Sequence, residues 1–116
     1  MKNKTLGIIG GGQLGRMTAL AAAIFGIECH VFDPDSNAPA FQVCSKSFIN
    51  KYEDMAAIKE FASGVDAVLY EFENIPLKSA QYIEKFCLLR NANVFWDNSF
   101  KALLFPIVNK IPVLSR

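Results

Sequence analysis

The sequence predicts an α/β domain: a Rossmann-like parallel sheet with helices on both faces. Three observations carry that expectation. Short apolar runs alternate along the chain with stretches of helical periodicity. The segments joining them are short, so each helix returns the chain to a neighbouring parallel run. Finally, a chain of 116 residues that is 52% hydrophobic and 20% charged can build one ordinary core, with little length left for a second.

The elements follow in order. Thr5-Leu6-Gly7-Ile8-Ile9 is an apolar run ending on glycines, and reads as a buried first strand. A helix follows, with Leu14, Met17, Ala21 and Ile24 expected on its buried stripe and Gly26 stopping it. Cys29 to Phe32 is the second strand. Asp33-Pro34-Asp35 ends it, because proline has no N–H to give a ladder. Ser47-Phe48-Ile49 is a weaker third strand. Asp54 has the chemistry of an N-cap for a helix with Met55, Ile58 and Phe61 inward, closed by Gly64. Asp66 to Tyr70 is the fourth strand, and Pro76 opens a helix in which Leu77, Ala80, Ile83 and Cys87 recur at helical spacing. A final strand is expected around Val94-Phe95.

The chain divides by composition into 1–87, the Rossmann-like part, and 88–116, a final strand with a tail. The tail holds Arg90, Lys101, Lys110 and Arg116 against Asp97 alone. It has no glycine, carries Phe95, Trp96, Phe100 and Phe105, and is broken by Pro106 and Pro112.

Charge excludes several functions. With 12 Lys and Arg against 11 Asp and Glu, the net charge of +1 leaves no electrostatic footprint for nucleic acid or an anionic membrane. The charge-free stretch Met17–Ile27 is far shorter than the ~20 residues that span a bilayer. The basic N-terminus is followed by an apolar run that breaks on Gly10-Gly11-Gly12, unlike a secretory signal, so a cytoplasmic location is expected. Three cysteines with no C-x-x-C pair, Cys29, Cys44 and Cys87, read as apolar filler in a reducing compartment. With His30 the one histidine, no metal set closes.

Two segments carry chemistry. Gly10-Gly11-Gly12-Gln13-Leu14-Gly15 is a G-x-G-x-x-G between a strand and a helix. It permits a tight turn, close approach of a ligand, and a helix N-terminus whose N–H groups suit a phosphate or another polar group. Asp33, at the end of the second strand, stands where a dinucleotide site places its ribose-binding acid. The second segment is Tyr70-Glu71-Phe72-Glu73-Asn74-Ile75-Pro76, at the carboxyl end of the fourth strand, where doubly wound sheets hold ligands. Period-two geometry sets Glu71 and Glu73 on one side and Tyr70, Phe72 and Asn74 on the other. Those carboxylates would repel a pyrophosphate but suit sugar hydroxyls or an amine. A tight turn and a solvated acidic loop are the plainer alternatives for the two segments.

Taken in order, Ile8 to Met17, Val31 to Asp35 with Ala38-Pro39-Ala40, and Tyr70 to Pro76 closely resemble the N-terminal domain of the N5-carboxyaminoimidazole ribonucleotide synthetase family. These are ATP-grasp ligases of purine biosynthesis, and the resemblance covers about residues 5–87. It implies a pre-ATP-grasp domain in an enzyme that carboxylates 5-aminoimidazole ribonucleotide with ATP and bicarbonate through carboxyphosphate. By the same resemblance, Gly11, Gly12, Gln13 and Leu14 lie along the sugar-phosphate and Glu73 hydrogen-bonds the ribonucleotide. Asp33, Glu71 and Asn74 order the site from behind. The family's ATP and magnesium are held by domains that this sequence does not match, so none is expected on this chain alone, nor is activity. Val94 to Leu103 keeps only a faint echo of the family's next helix.

Three functions stay open on the residues. One is a piece of the ligase, completed by a partner chain. Another is a noncatalytic ribonucleotide-binding or interaction module. The last is an NAD(P)-binding domain of an oxidoreductase. An apolar tail also favours self-association.

Overall fold

The computed structural model describes residues 4–70 and 75–91. These residues form five strands and three helices: β1 (Thr5–Ile9), α1 (Gln13–Ile24), β2 (Glu28–Phe32), β3 (Lys46–Phe48), α2 (Met55–Ser63), β4 (Ala67–Tyr70), α3 (Leu77–Ile83) and β5 (Leu88–Asn91). A short 3-10 turn, Pro39–Gln42, lies between β2 and β3. All strand pairings are parallel, in the order β3-β2-β1-β4-β5. The expected doubly wound sheet is therefore the observed one.

β1 is the middle strand, and all five of its residues are buried. That is why it reads as an uninterrupted apolar run: a strand covered on both faces has no polar side to show. One layer packs Leu6, Ile8, Cys29, Val31, Ala67 and Leu69 against Ala19 and Ala22 of α1. The other packs Ile9, Phe32, Phe48 and Val68 against Ile58 and Phe61 of α2 and Ile83 of α3. At the amino ends of β1 and β4, the Thr5 N–H donates to Asp66 Oδ2 at 2.8 Å and the Asp66 N–H returns a bond to the Thr5 carbonyl at 2.8 Å.

The N-cap of α2 is as expected: Asp54 Oδ1 accepts the Ala57 N–H at 3.1 Å. The buried stripe of α1 is not. Gly15, Thr18, Ala19 and Ala22 face the sheet, while Met17 is 52% and Ile24 82% exposed. The helix lies so close to β1 that only small side chains fit beneath it, which drives the large ones outward. Thr18 keeps its buried hydroxyl satisfied by donating to the Leu14 carbonyl at 2.9 Å. In α3, Leu77 of the expected stripe is 71% exposed, and Ser79 and Ile83 are the buried residues. Ser79 is affordable inside because its Oγ donates to the Tyr52 carbonyl at 2.5 Å. The fifth strand is Leu88–Asn91, ahead of the expected Val94-Phe95, which lies outside the described residues.

Two of the three thiols are held in the neutral form. Burial pushes Cys29 up to about 12, with Cys44 nearby adding to it, and Cys87 up to about 11. Neither supplies a thiolate at neutral pH. All three cysteines are free.

Candidate functional site at the carboxyl ends of the central strands

The register places Ile9 beside both Phe32 and Tyr70. The chain therefore leaves β1, β2 and β4 at the same height, at one end of the sheet. β1 is also where the strand order reverses, the position at which open α/β sheets form a ligand crevice.

The loop after β1 is fixed from several directions. Gly10 has φ 100°, a conformation few side chains tolerate, and its N–H donates to the Phe32 carbonyl at 2.9 Å. The Gly11 N–H donates to Asp33 Oδ2 at 2.7 Å, and the Gly11 carbonyl accepts the Ala40 N–H at 2.8 Å. A Cβ at Gly11 would stand 2.8 Å from Ala38 Cβ and 3.3 Å from Asp33 Cβ. Gly12 is the N-cap of α1, with no side chain to cap the helix. Gln13, the first residue of the helix, is exposed and Leu14 half-buried.

Asp33 ties two loops together. While Oδ2 takes the Gly11 N–H, Oδ1 accepts the Asp35 N–H at 2.8 Å and shapes the turn after β2. Asp35 continues the pattern, its Oδ1 accepting the Asn37 N–H at 2.9 Å. Each Asp33 oxygen thus holds a main-chain amide, and the carboxylate acts on loop shape. The structure brings Gly11, Gly12 and Asp33 together, with Gln13 and Leu14 opening the helix beside them. Glu71, Glu73 and Asn74 lie outside the described residues, between Tyr70 and Ile75 in the chain.

Sequence reasoning from single residues missed Ala38 and Ala40 as builders of this loop. The signal available was the pair of small residues flanking Pro39, matched to a glycine that needs a small neighbour. We expect Asp33→Ala to cost about 1.5–3 kcal/mol, the range for hydrogen bonds to a charged group. Asp33→Asn should cost less, since one acceptor oxygen survives. Urea unfolding checks this; a loss for Asp33→Ala within ~0.5 kcal/mol, the size of an ordinary surface change, would remove Asp33 from this role.

The described residues do not fit ATP. Its phosphates need clustered cations and a magnesium held by carboxylates. No group of three or more His, Cys, Asp or Glu able to hold a metal occurs among the described residues. Nor does any helix among the described residues have the length and apolarity to cross a membrane.

Comparison with known proteins agrees with this fold. Residues 3–94 match the family model of the ribonucleotide synthetase preATP-grasp domain. The chain is 45% identical over 85 residues to N5-carboxyaminoimidazole ribonucleotide synthase of Brucella melitensis, covering 73% of this chain and 24% of that protein. A crystal structure of an N5-carboxyaminoimidazole ribonucleotide synthetase in complex with ADP superposes with a TM-score of 0.71 at 47% identity, over 77% of this chain and 24% of that one. The enzyme of Aspergillus clavatus in complex with ADP and 5-aminoimidazole ribonucleotide superposes with a TM-score of 0.64 at 25% identity, over 75% and 23% of the two chains. The chain spans about a quarter of the length of these relatives.

Proposed function

The chain belongs to the ribonucleotide synthetase preATP-grasp family, and from that premise we propose that it supplies a ribonucleotide-binding wall for the carboxylation of 5-aminoimidazole ribonucleotide. In that reaction bicarbonate takes the γ-phosphoryl group of ATP, giving carboxyphosphate and ADP. The amine of the ribonucleotide then acquires the carboxyl group and phosphate leaves. The observation that supports this reading is the glycine loop at the point where the strand order reverses, held by Asp33 with Gln13 exposed at its rim. The Gln13 amide and the loop backbone lie along the sugar-phosphate. Glu73 accepts hydrogen bonds from the ribonucleotide, and Glu71 and Asn74 order that side of the crevice. Asp33 is a positioning residue that acts through Gly11. The Asp33 bonds weigh against the dinucleotide alternative, because the acid that would hold a ribose is engaged by the backbone.

Calorimetry with 5-aminoimidazole ribonucleotide tests the assignment. Glu73→Gln should weaken binding about ten- to a hundredfold, the value of one charge-assisted hydrogen bond. The fold should be unaffected. Equal affinity of both proteins would return Glu73 to the solvated surface. Binding of NADH with no response to the ribonucleotide would overturn the reading altogether.

Phosphoryl transfer belongs to other parts of the enzyme, since the residues described do not fit ATP. Purified chain supplied with ribonucleotide, bicarbonate and ATP should therefore release no ADP above a Glu73→Gln control. Substrate-dependent release would reassign the nucleotide chemistry to this domain.

A further inference from the structure

His30, in the middle of β2, keeps its Nδ1 buried with neither a donor nor an acceptor against it. The neutral ring accommodates this by carrying its proton on Nε2. An imidazolium cannot, because both nitrogens then carry hydrogens and Nδ1 becomes a buried donor with no acceptor.

Strand alternation turns His30, like Phe32, toward the α2 layer. There its ring lies 6.3 Å from that of Phe48, centroid to centroid, and a Cβ at Gly64 would stand 4.0 Å from its Cε1. Two charges act on it. Lys46 of β3 is its register partner, with Nζ 5.0 Å from the Phe48 centroid, and disfavours a second cation. Glu28, on the same strand as His30, opposes this more weakly. From α2 the closing turn approaches, flanked by the main-chain carbonyls of Glu60 and Phe61. Burial first, then Lys46, holds the His30 pKa below its ordinary value of 6.5.

The element across from His30 is weakly held. β3 is an edge strand of three residues, of which Phe48 alone is buried. At its end the Phe48 carbonyl accepts the Asp33 N–H at 3.0 Å, and Asp33 Oδ2 in turn holds the Gly11 N–H at 2.7 Å. His30, β3, Asp33 and the glycine loop are therefore joined by consecutive contacts.

We infer that His30 is an acid-sensitive latch on β3: its protonation opens the edge strand from β2 and frees Asp33, and with it the glycine loop. As regulation of the ribonucleotide site the latch rests on the function proposed above. The sign follows from which state takes the proton first. The opened strand binds it more readily than the closed one, so the closed state is fully favoured above about pH 6.5. That advantage is lost as the pH falls from there through the closed-state midpoint.

His30 is the chain's one histidine, so its Hε1 resonance titrates without overlap. The midpoint should lie below 6.5. Amide exchange, corrected for intrinsic rates, should show protection at Asp33 and Gly11 falling about tenfold between pH ~7.5 and ~5, within the range for one unpaired buried donor. The amides of β1, paired on both sides, should keep theirs. His30→Phe fills the same place with no proton to gain, and should hold protection at Asp33 and Gly11 constant. Lys46→Met should raise the midpoint and shrink the loss. Four results overturn the latch: a midpoint at or above 6.5; protection at Asp33 and Gly11 that ignores the titration; an equal loss throughout β1; or an equal loss in His30→Phe. Should His30→Phe fail to fold, Lys46→Met decides, and an unmoved midpoint with an undiminished loss refutes the latch. Because the chain is free of ligand throughout, failure here leaves the proposed ribonucleotide site standing, and failure of that site leaves the amide readings in force.

Discussion

Gly15→Ala should destabilise the protein by more than the ~1–3 kcal/mol usual for an overpacked core. Helix propensity predicts the opposite sign, since replacing glycine by alanine inside a helix gains about 0.5–1 kcal/mol. Geometry decides against propensity here. A Cβ at position 15 would run into the carbonyl oxygen of Gly10 and meet Ile8 Cγ2 at 3.4 Å. The carbonyl cannot swing aside as a side chain would, because Gly10 is anchored to β2 through its N–H and sits at φ 100°. The helix must lift, which opens the seam under Thr18, Ala19 and Ala22 and displaces the loop that Asp33 holds. Urea unfolding and ribonucleotide calorimetry should both register the change. An alanine variant as stable as the parent would mean that α1 tolerates a wider spacing from the sheet than the structure gives it.

Phe61→Ala should cost about 3–5 kcal/mol, the range for emptying a buried aromatic site. Phe61 is fully buried on α2 and meets Phe32 edge-on, centroids 5.4 Å apart at 66°, and Phe48 at 5.4 Å and 80°. Such pairs add roughly 0.5–1.5 kcal/mol beyond the area they bury. Its ring tip also fills the space left by Gly7, where a Cβ would stand 2.8 Å away. One ring therefore joins α2 to β1, β2 and β3. In a domain whose total stability is about 5–15 kcal/mol, the variant should be close to unfolding at body temperature. Phe61→Leu should recover much of the loss. Thermal unfolding followed by circular dichroism separates the three proteins, and a loss for Phe61→Ala below ~1 kcal/mol would show that the cluster repacks around the void.

The central strands β1 and β4 were legible because burial on both faces leaves a short run of apolar residues bounded by turn signals. The α2 cap was legible because Asp54 announces it chemically. The buried side of α1 was not, because large apolar residues mark a core face only when the core has room for them. Here contact with the sheet selects Gly15, Thr18, Ala19 and Ala22, whose spacing was the readable signal. β5 was hidden for another reason. Leu88 and Leu89 follow Ile83 and Cys87 without a clear stop, so leucines that pair with β4 blend into the helical pattern before them. At the site, the glycine motif and Asp33 could be found in the sequence, but the direction of the Asp33 carboxylate could not. Which atoms it meets depends on the turn at Asp35 and on Ala38 pressing against Gly11, both products of tertiary packing.

The central position of β1 bears on how the chain is made. A ribosome delivers this strand ahead of its partners, and β4 and the Asp66 carboxylate that receives the Thr5 N–H come from about sixty residues later. Until then β1 can pair with β2 alone, and its other edge stays open, a row of unsatisfied amides and carbonyls next to apolar side chains. Parallel pairing across such a separation also pays the entropy of loop closure before any contact repays it. The earliest of the five strands to emerge is thus among the last to be completed. Chaperone dependence and aggregation during synthesis should concentrate in the interval between the appearance of β2 and that of β4.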